Sequence, residues 1–159
     1  MSTHKFQGLR RWAIAVAAIS ALFGASAASA TTAVPIGRTA RTTTVSDTGR
    51  LHLVSKSGSS FSERGTATGT LPGAVNAHFV LRVTEATGTV TINARGGSLT
   101  LALDAFAQSA GSVARLNGTM TVTHGTGKYA HAHGTESLTA TVNRRSWAIK
   151  AQMHGRLSY

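Results

Sequence analysis

Two carboxylates and a short run of histidines are the residues of this chain whose types and spacing suit chemistry best. Glu63 shares strand parity with Phe61, and Glu85 with Leu81 and Val83. Alternate side chains of a strand share a face, so either carboxyl, turned into an apolar interior, would hold its proton more tightly and become an acid or base. Both stand near glycine turns, and an unpaired buried carboxylate is costly, so the expected place for both is a strand end at the rim. His124, His131 and His133 lie close together, with His154 further on. His-x-His sets two rings on one strand face, a spacing that can grip zinc or copper with His124 nearby. No Asp or Cys stands close to them, so exposed histidines, no metal and no cofactor are expected. His124 joins Glu63 and Glu85 as a candidate proton-transfer group.

Other chemistries find no footing. There is no Gly-x-Ser-x-Gly elbow and no cysteine nucleophile. Gly127-Lys128 does not make a phosphate loop, because Val122 stands where the first glycine belongs and Tyr129 follows the lysine. Asn117-Gly118-Thr119 matches a glycosylation acceptor, a single tripeptide.

The elements that must position these residues begin after a leader. Lys5, Arg10 and Arg11 precede an uncharged run from Trp12 to Phe23, which closes on Ala28-Ser29-Ala30. A positive flank, a short apolar stretch and an Ala-x-Ala close predict a cleavable signal peptide over 1–30, and hence a secreted, extracytoplasmic protein. The apolar run is short and alanine-rich for a membrane span, which needs roughly 20 strongly apolar residues. The surroundings of Arg10-Arg11 fit the general secretory route better than a twin-arginine signal. Residues 31–48, rich in Thr and Arg with few apolar side chains, are expected to form a flexible leader, and 49–159 the working domain.

Three of the 16 basic side chains precede residue 31, and those that follow outnumber the five carboxylates by eight. Such a balance favours anionic polymers or lipid headgroups. The basic residues are scattered, with only Arg144 and Arg145 adjacent, which argues against a specific nucleic-acid surface with its dense stripe and stacking aromatics. Without cysteine, stability must come from packing and sheet hydrogen bonds.

Period-two alternation runs through the domain. Trp147, Ile149, Ala151, Met153, Gly155, Leu157 and Tyr159 share one face of the last strand, while Lys150, Gln152, His154 and Arg156 share the other. Leu99, Leu101 and Leu103 mark a second strand, and Val75, Ala77, Phe79, Leu81 and Val83 a third. Further sets are Val90 with Ile92, Leu116 with Met120 and Val122, and Leu138 with Ala140 and Val142. Turns are expected at Pro72-Gly73, Thr87-Gly88, Gly96-Gly97, Ala110-Gly111 and Gly125 to Gly127. With shorter segments at 51–56 and 61–71, about eight strands result, so the fold class is all-β: a closed antiparallel barrel or, alternatively, a β-sandwich.

The segment Gly125-Thr-Gly-Lys-Tyr-Ala-His-Ala-His-Gly134, following the strand Thr119 to His124, resembles the Gly-Thr-Gly, basic, aromatic, Ala-x-Ala-x-Gly turn of the allene oxide cyclase and dirigent barrel superfamily, including its secreted bacterial relatives. The resemblance covers about Leu51 to Tyr159. It implies an eight-stranded barrel, often trimeric in the plant members, with His131 and His133 at variable, exposed sites of the turn. It implies no one chemistry, since the cyclases mould a reactive epoxide in an apolar cavity while dirigent proteins hold radicals without turnover. Physically, Gly125, Gly127 and Gly134 give the turn its freedom, Tyr129 anchors it and Lys128 stays in water.

The function expected is therefore a secreted, noncatalytic barrel that binds a small apolar molecule, or an extracellular interaction module. Phe79, Leu101, Met120 and Trp147 are the candidate ligand-lining residues. The alternatives are a cyclase or isomerase acting on a hydrophobic substrate, and a structural protein contacting anionic envelope polymers.

Overall fold

A computed structural model describes residues 41–108 and 111–159 of the chain. The signal peptide expected over 1–30, the first part of the leader to residue 40, and Ala110 lie outside the described residues. Eight strands follow in order: β1 (Thr42–Ser57), β2 (Ser60–Gly69), β3 (Gly73–Leu81), β4 (Glu85–Ala94), β5 (Gly97–Ala107), β6 (Val113–Gly125), β7 (His133–Asn143) and β8 (Ile149–Ser158). Each pairs antiparallel with its neighbour in sequence, and β1 pairs with β8, so the sheet closes as an up-and-down barrel without a sandwich seam. Closure leaves no unpaired edge.

Alternation sorts the side chains as the sheet pleat demands. Leu99, Leu101 and Leu103 are buried on β5, and Ile149, Ala151, Met153 and Leu157 on β8, while Lys150, Gln152, His154 and Arg156 face out. Three boundaries differ from the sequence reading, and the first is that Trp147, expected on the last strand, lies in the connection before β8. Thr42 to Thr48, expected in the flexible leader, belong to β1, where Thr48 pairs with both Thr68 and Gln152. Their threonines are β-branched strand formers, and Asp47, an acid at an inward position between Val45 and Gly49, disguises the period. Thr87-Gly88 is no turn but lies inside β4, and the chain reverses instead at Arg82 to Thr84. Gly88 makes room across the ladder, because a Cβ there would sit 2.5 Å from the Cα of Phe79.

The barrel has two unlike ends. At one, the turn after β6 folds over the opening through a 3-10 turn at Gly127–Tyr129. At the other lie the connections 58–59, 82–84 and 144–148, the last carrying Trp147. These are called below the Tyr129 end and the Trp147 end.

Candidate functional site

The interior holds a hollow of about 60 Å³, lined wholly by apolar atoms. It exists because several inward positions are small: Gly49, Ala77, Ala86, Ala140 and Ala151 line it beside larger neighbours such as Val90, Leu103 and Met153. Of the four candidate ligand residues, Phe79 and Met120 line this hollow, Trp147 does not, and Leu101 is fully buried core that does not reach it. A second depression of about 120 Å³ opens at the Trp147 end between Leu81, Val83, Ala107, Ala114, Val142, Arg144 and Trp147. Phe79 and Leu116 line both spaces and so form the partition between them.

Trp147 is held in place by its surroundings. Its backbone lies in the left-handed region at φ 58, a conformation rare for a bulky residue. The Asn143 carbonyl accepts its N–H at 2.6 Å, and the Asn143 side-chain oxygen accepts the N–H groups of Arg145 and Ser146. The indole packs on Phe61 with ring centres 4.5 Å apart, Phe61 stacks on Phe79 at 5.3 Å, and the Lys56 ammonium sits 4.6 Å from the indole centre. One aromatic column thus runs from the mouth to the partition.

The Tyr129 end is shut. Tyr129 is buried, meets Tyr159 edge-on at 5.1 Å, and occupies the space a side chain at Gly125 would need. The backbone N–H of Lys128 donates to the Gly96 carbonyl, and that of Ser98 to the Thr126 hydroxyl at 2.9 Å, tying the turn to the β4–β5 hairpin. Lys128 is exposed, with its ammonium 4.8 Å from the Tyr129 ring, and Gly134 continues into β7.

Three carboxyls lie in the interior: Asp47, Glu63 and Glu136, each no more than 2 % exposed. Glu63, expected at the rim, is instead an inward residue of β2 opposite Leu53 and Ala77. Neither of its oxygens has a hydrogen-bond partner among the described residues, and burial raises its pKa to about 7. Glu136 is also pushed up to about 7, first by burial and then by the charge of Asp47. Gly155 lies between Glu136 and Val45 across β8, and a Cβ there would meet the Glu136 side chain at 2.8 Å, so that side chain passes over the glycine on the way to β1. Burial raises the pKa of Asp47 too, against backbone N–H groups of Leu71 (2.9 Å to Oδ1) and Thr70 and the nearby His154.

Sequence reasoning missed Asp47 and Glu136 as interior groups. Parity could have found Glu136, which alternates with Leu138, Ala140 and Val142. Glu85 is the first residue of β4 and half-buried, as a rim residue should be, but it shares the outer face with Phe106. The turn at Arg82 to Thr84 breaks the parity that joined it to Leu81 and Val83. His124, His131 and His133 are exposed, and among the described residues no group of three or more His, Cys, Asp or Glu side chains is placed to hold a metal.

None of the three buried carboxyls, nor His124, lines the hollow or the mouth. The arrangement offers apolar surface with an aromatic at its opening and no polar group at its centre. No family model and no curated protein matches the chain.

Proposed function

We propose that this chain is an exported, noncatalytic barrel that binds a slender apolar molecule through the Trp147 end. The observation that carries the reading is an inner hollow lined wholly by apolar atoms, with Phe79 and Leu116 standing between it and the mouth, so that entry requires one of these side chains to turn aside. The volumes set the class of ligand. Pockets for drug-sized molecules run to about 300–1,000 Å³, and a dry cavity of about 150 Å³ admits benzene. A hollow of about 60 Å³ therefore suits the narrow end of an alkyl chain, with the rest of the molecule in the mouth. The resemblance to allene oxide cyclase and dirigent barrels supports the same reading, since those barrels also enclose apolar guests. A cyclase-like reaction has less support, because none of the proton-transfer candidates lines either space.

The test is titration of the chain from Thr31 onward, in which Trp147 is the one tryptophan, with medium-length alkanols or fatty acids, followed by tryptophan emission and calorimetry. Binding should perturb the emission of Trp147 and show a negative heat-capacity change. Ala107→Phe, which fills the mouth from a half-buried position, should weaken binding by about tenfold while leaving the thermal midpoint in place. Absence of binding up to the solubility limit would reject the reading and leave a structural module.

A further inference from the structure

The Trp147 end also carries surface that a ligand mouth does not require. Four large apolar side chains are exposed among the described residues: Val54, Val83, Phe106 and Val113. All four belong to the half of the barrel that bears this end. Val54 stands out at the bulge near the end of β1, Phe106 next to the last residue of β5, and Val113 at the start of β6. Val83 is the extreme case, 98 % exposed at the tip of the β3–β4 connection and on the lip of the mouth. A valine held wholly in water contributes nothing to folding, and burying it is worth about 1.5–3 kcal/mol.

Basic charge predominates around this tip. The connections at this end carry Arg82, Arg144 and Arg145, with Lys56 at the end of β1, and no carboxylate occurs in their described residues. Of the outer carboxylates, Asp104 is on the barrel wall in β5, and Glu85, the half-buried first residue of β4, is the one acid beside this rim, against four basic side chains. The Tyr129 end is basic as well, with Arg95 and Lys128, but its large apolar residues Leu71 and Tyr129 are buried. Basic charge alone would suit any polyanion. An apolar tip inside a basic ring suits a surface that is anionic outside and apolar within.

We propose that the Trp147 end docks onto an anionic lipid bilayer, with Val83 inserted at the headgroup boundary and Arg82, Arg145 and Lys56 against the phosphates. This assignment does not depend on a ligand in the hollow. It does place the mouth toward the membrane, from which an apolar molecule could be drawn.

The absence of cysteine allows the contact to be mapped at single positions in the chain from Thr31 onward, without the basic apolar segment expected to be cleaved. Thr84→Cys, beside Val83, and Arg95→Cys, at the opposite end, are each coupled to an environment-sensitive fluorophore. They are then mixed with vesicles of phosphatidylcholine alone or with added phosphatidylglycerol. The expected result is a blue shift and quenching by bilayer-embedded quenchers at position 84, only with the anionic vesicles, and none at position 95. In the Thr84→Cys background, Val83→Asp should lower vesicle affinity by about tenfold or more. Removing the charge of Arg82 or Arg145 should lower it by about fivefold each. These changes lie in an exposed connection, and an unchanged thermal midpoint shows that folding is intact.

Equal response at both positions, or equal binding to neutral vesicles, would overturn the proposal. So would binding that salt abolishes but Val83→Asp leaves unaltered, which would assign the basic ring to an anionic polymer. A blue shift at position 84 that grows with protein concentration in the absence of vesicles would assign the tip to a second copy of the chain.

Discussion

The two ends of this barrel solve the same problem in opposite ways. At the Tyr129 end the chain folds a turn inward, buries its aromatic against Tyr159, and satisfies the turn's backbone on the β4–β5 hairpin. At the Trp147 end the aromatic sits half-buried at a mouth in a left-handed backbone conformation, and the valine beside that mouth points into water. One end uses its apolar side chains for stability. The other withholds some of them, and surface withheld from folding is available for binding.

The sharpest way to break that contrast is truncation of the two aromatics. Tyr129→Ala should cost about 3–5 kcal/mol, the range for deleting a buried aromatic, whereas Trp147→Ala should cost less than half as much. Urea midpoints at constant slope will read both, and equal losses would refute the division of roles.

A second prediction concerns the buried carboxyls. Glu63 and Glu136 have folded pKa values of about 7 against 4.5 in a free side chain, so the folded state binds more protons than the unfolded state between those values. Stability is then greatest in mild acid and falls as pH rises from about 4.5 to about 7, by on the order of 3 kcal/mol for each group, and levels off above. Asp47, also shifted upward, adds to the same trend at lower pH. Unfolding curves between pH 4.5 and 8 should show this slope. Glu63→Gln and Glu136→Gln should each flatten it and raise stability at neutral pH. A stability maximum above pH 7 would contradict the buried placement of these groups.

The smallest expected effect completes the comparison. Val83→Ser should change stability by less than about 0.5 kcal/mol, since the side chain touches so little. A larger loss would mean that Val83 serves the fold after all.

Much of this architecture was legible in the residues. Alternation on β5 and β8 gave the inward faces, and the glycine-rich segment at 125–134 gave the closed turn. Two kinds of information were not local. A polar residue at an inward position, Asp47, concealed the start of β1, because period-two reading assumes that buried means apolar. Gly88 resembled a turn residue when its work is to clear space for Phe79 on the adjacent strand, a requirement visible only across the ladder. The parity of Glu63 was readable but its depth was not. Depth depends on how the eight strands stagger around the barrel, and no single strand encodes that stagger.

The pairing of β1 with β8 has a further consequence. It brings together residues as far apart as Thr42 and Ser158, whose hydroxyls lie 2.9 Å apart, while every other ladder joins consecutive strands. Any folding intermediate without β8 is an open ribbon with two adhesive edges, so the final docking event also ends its exposure to aggregation. Topologically the sheet is a ring that the peptide happens to interrupt between Arg41 and Tyr159, whose backbones already exchange two hydrogen bonds. A permuted chain that joins those two residues and is cut at the hairpin around Gly58 would keep every ladder, and the identity of the first strand would become a matter of gene order alone.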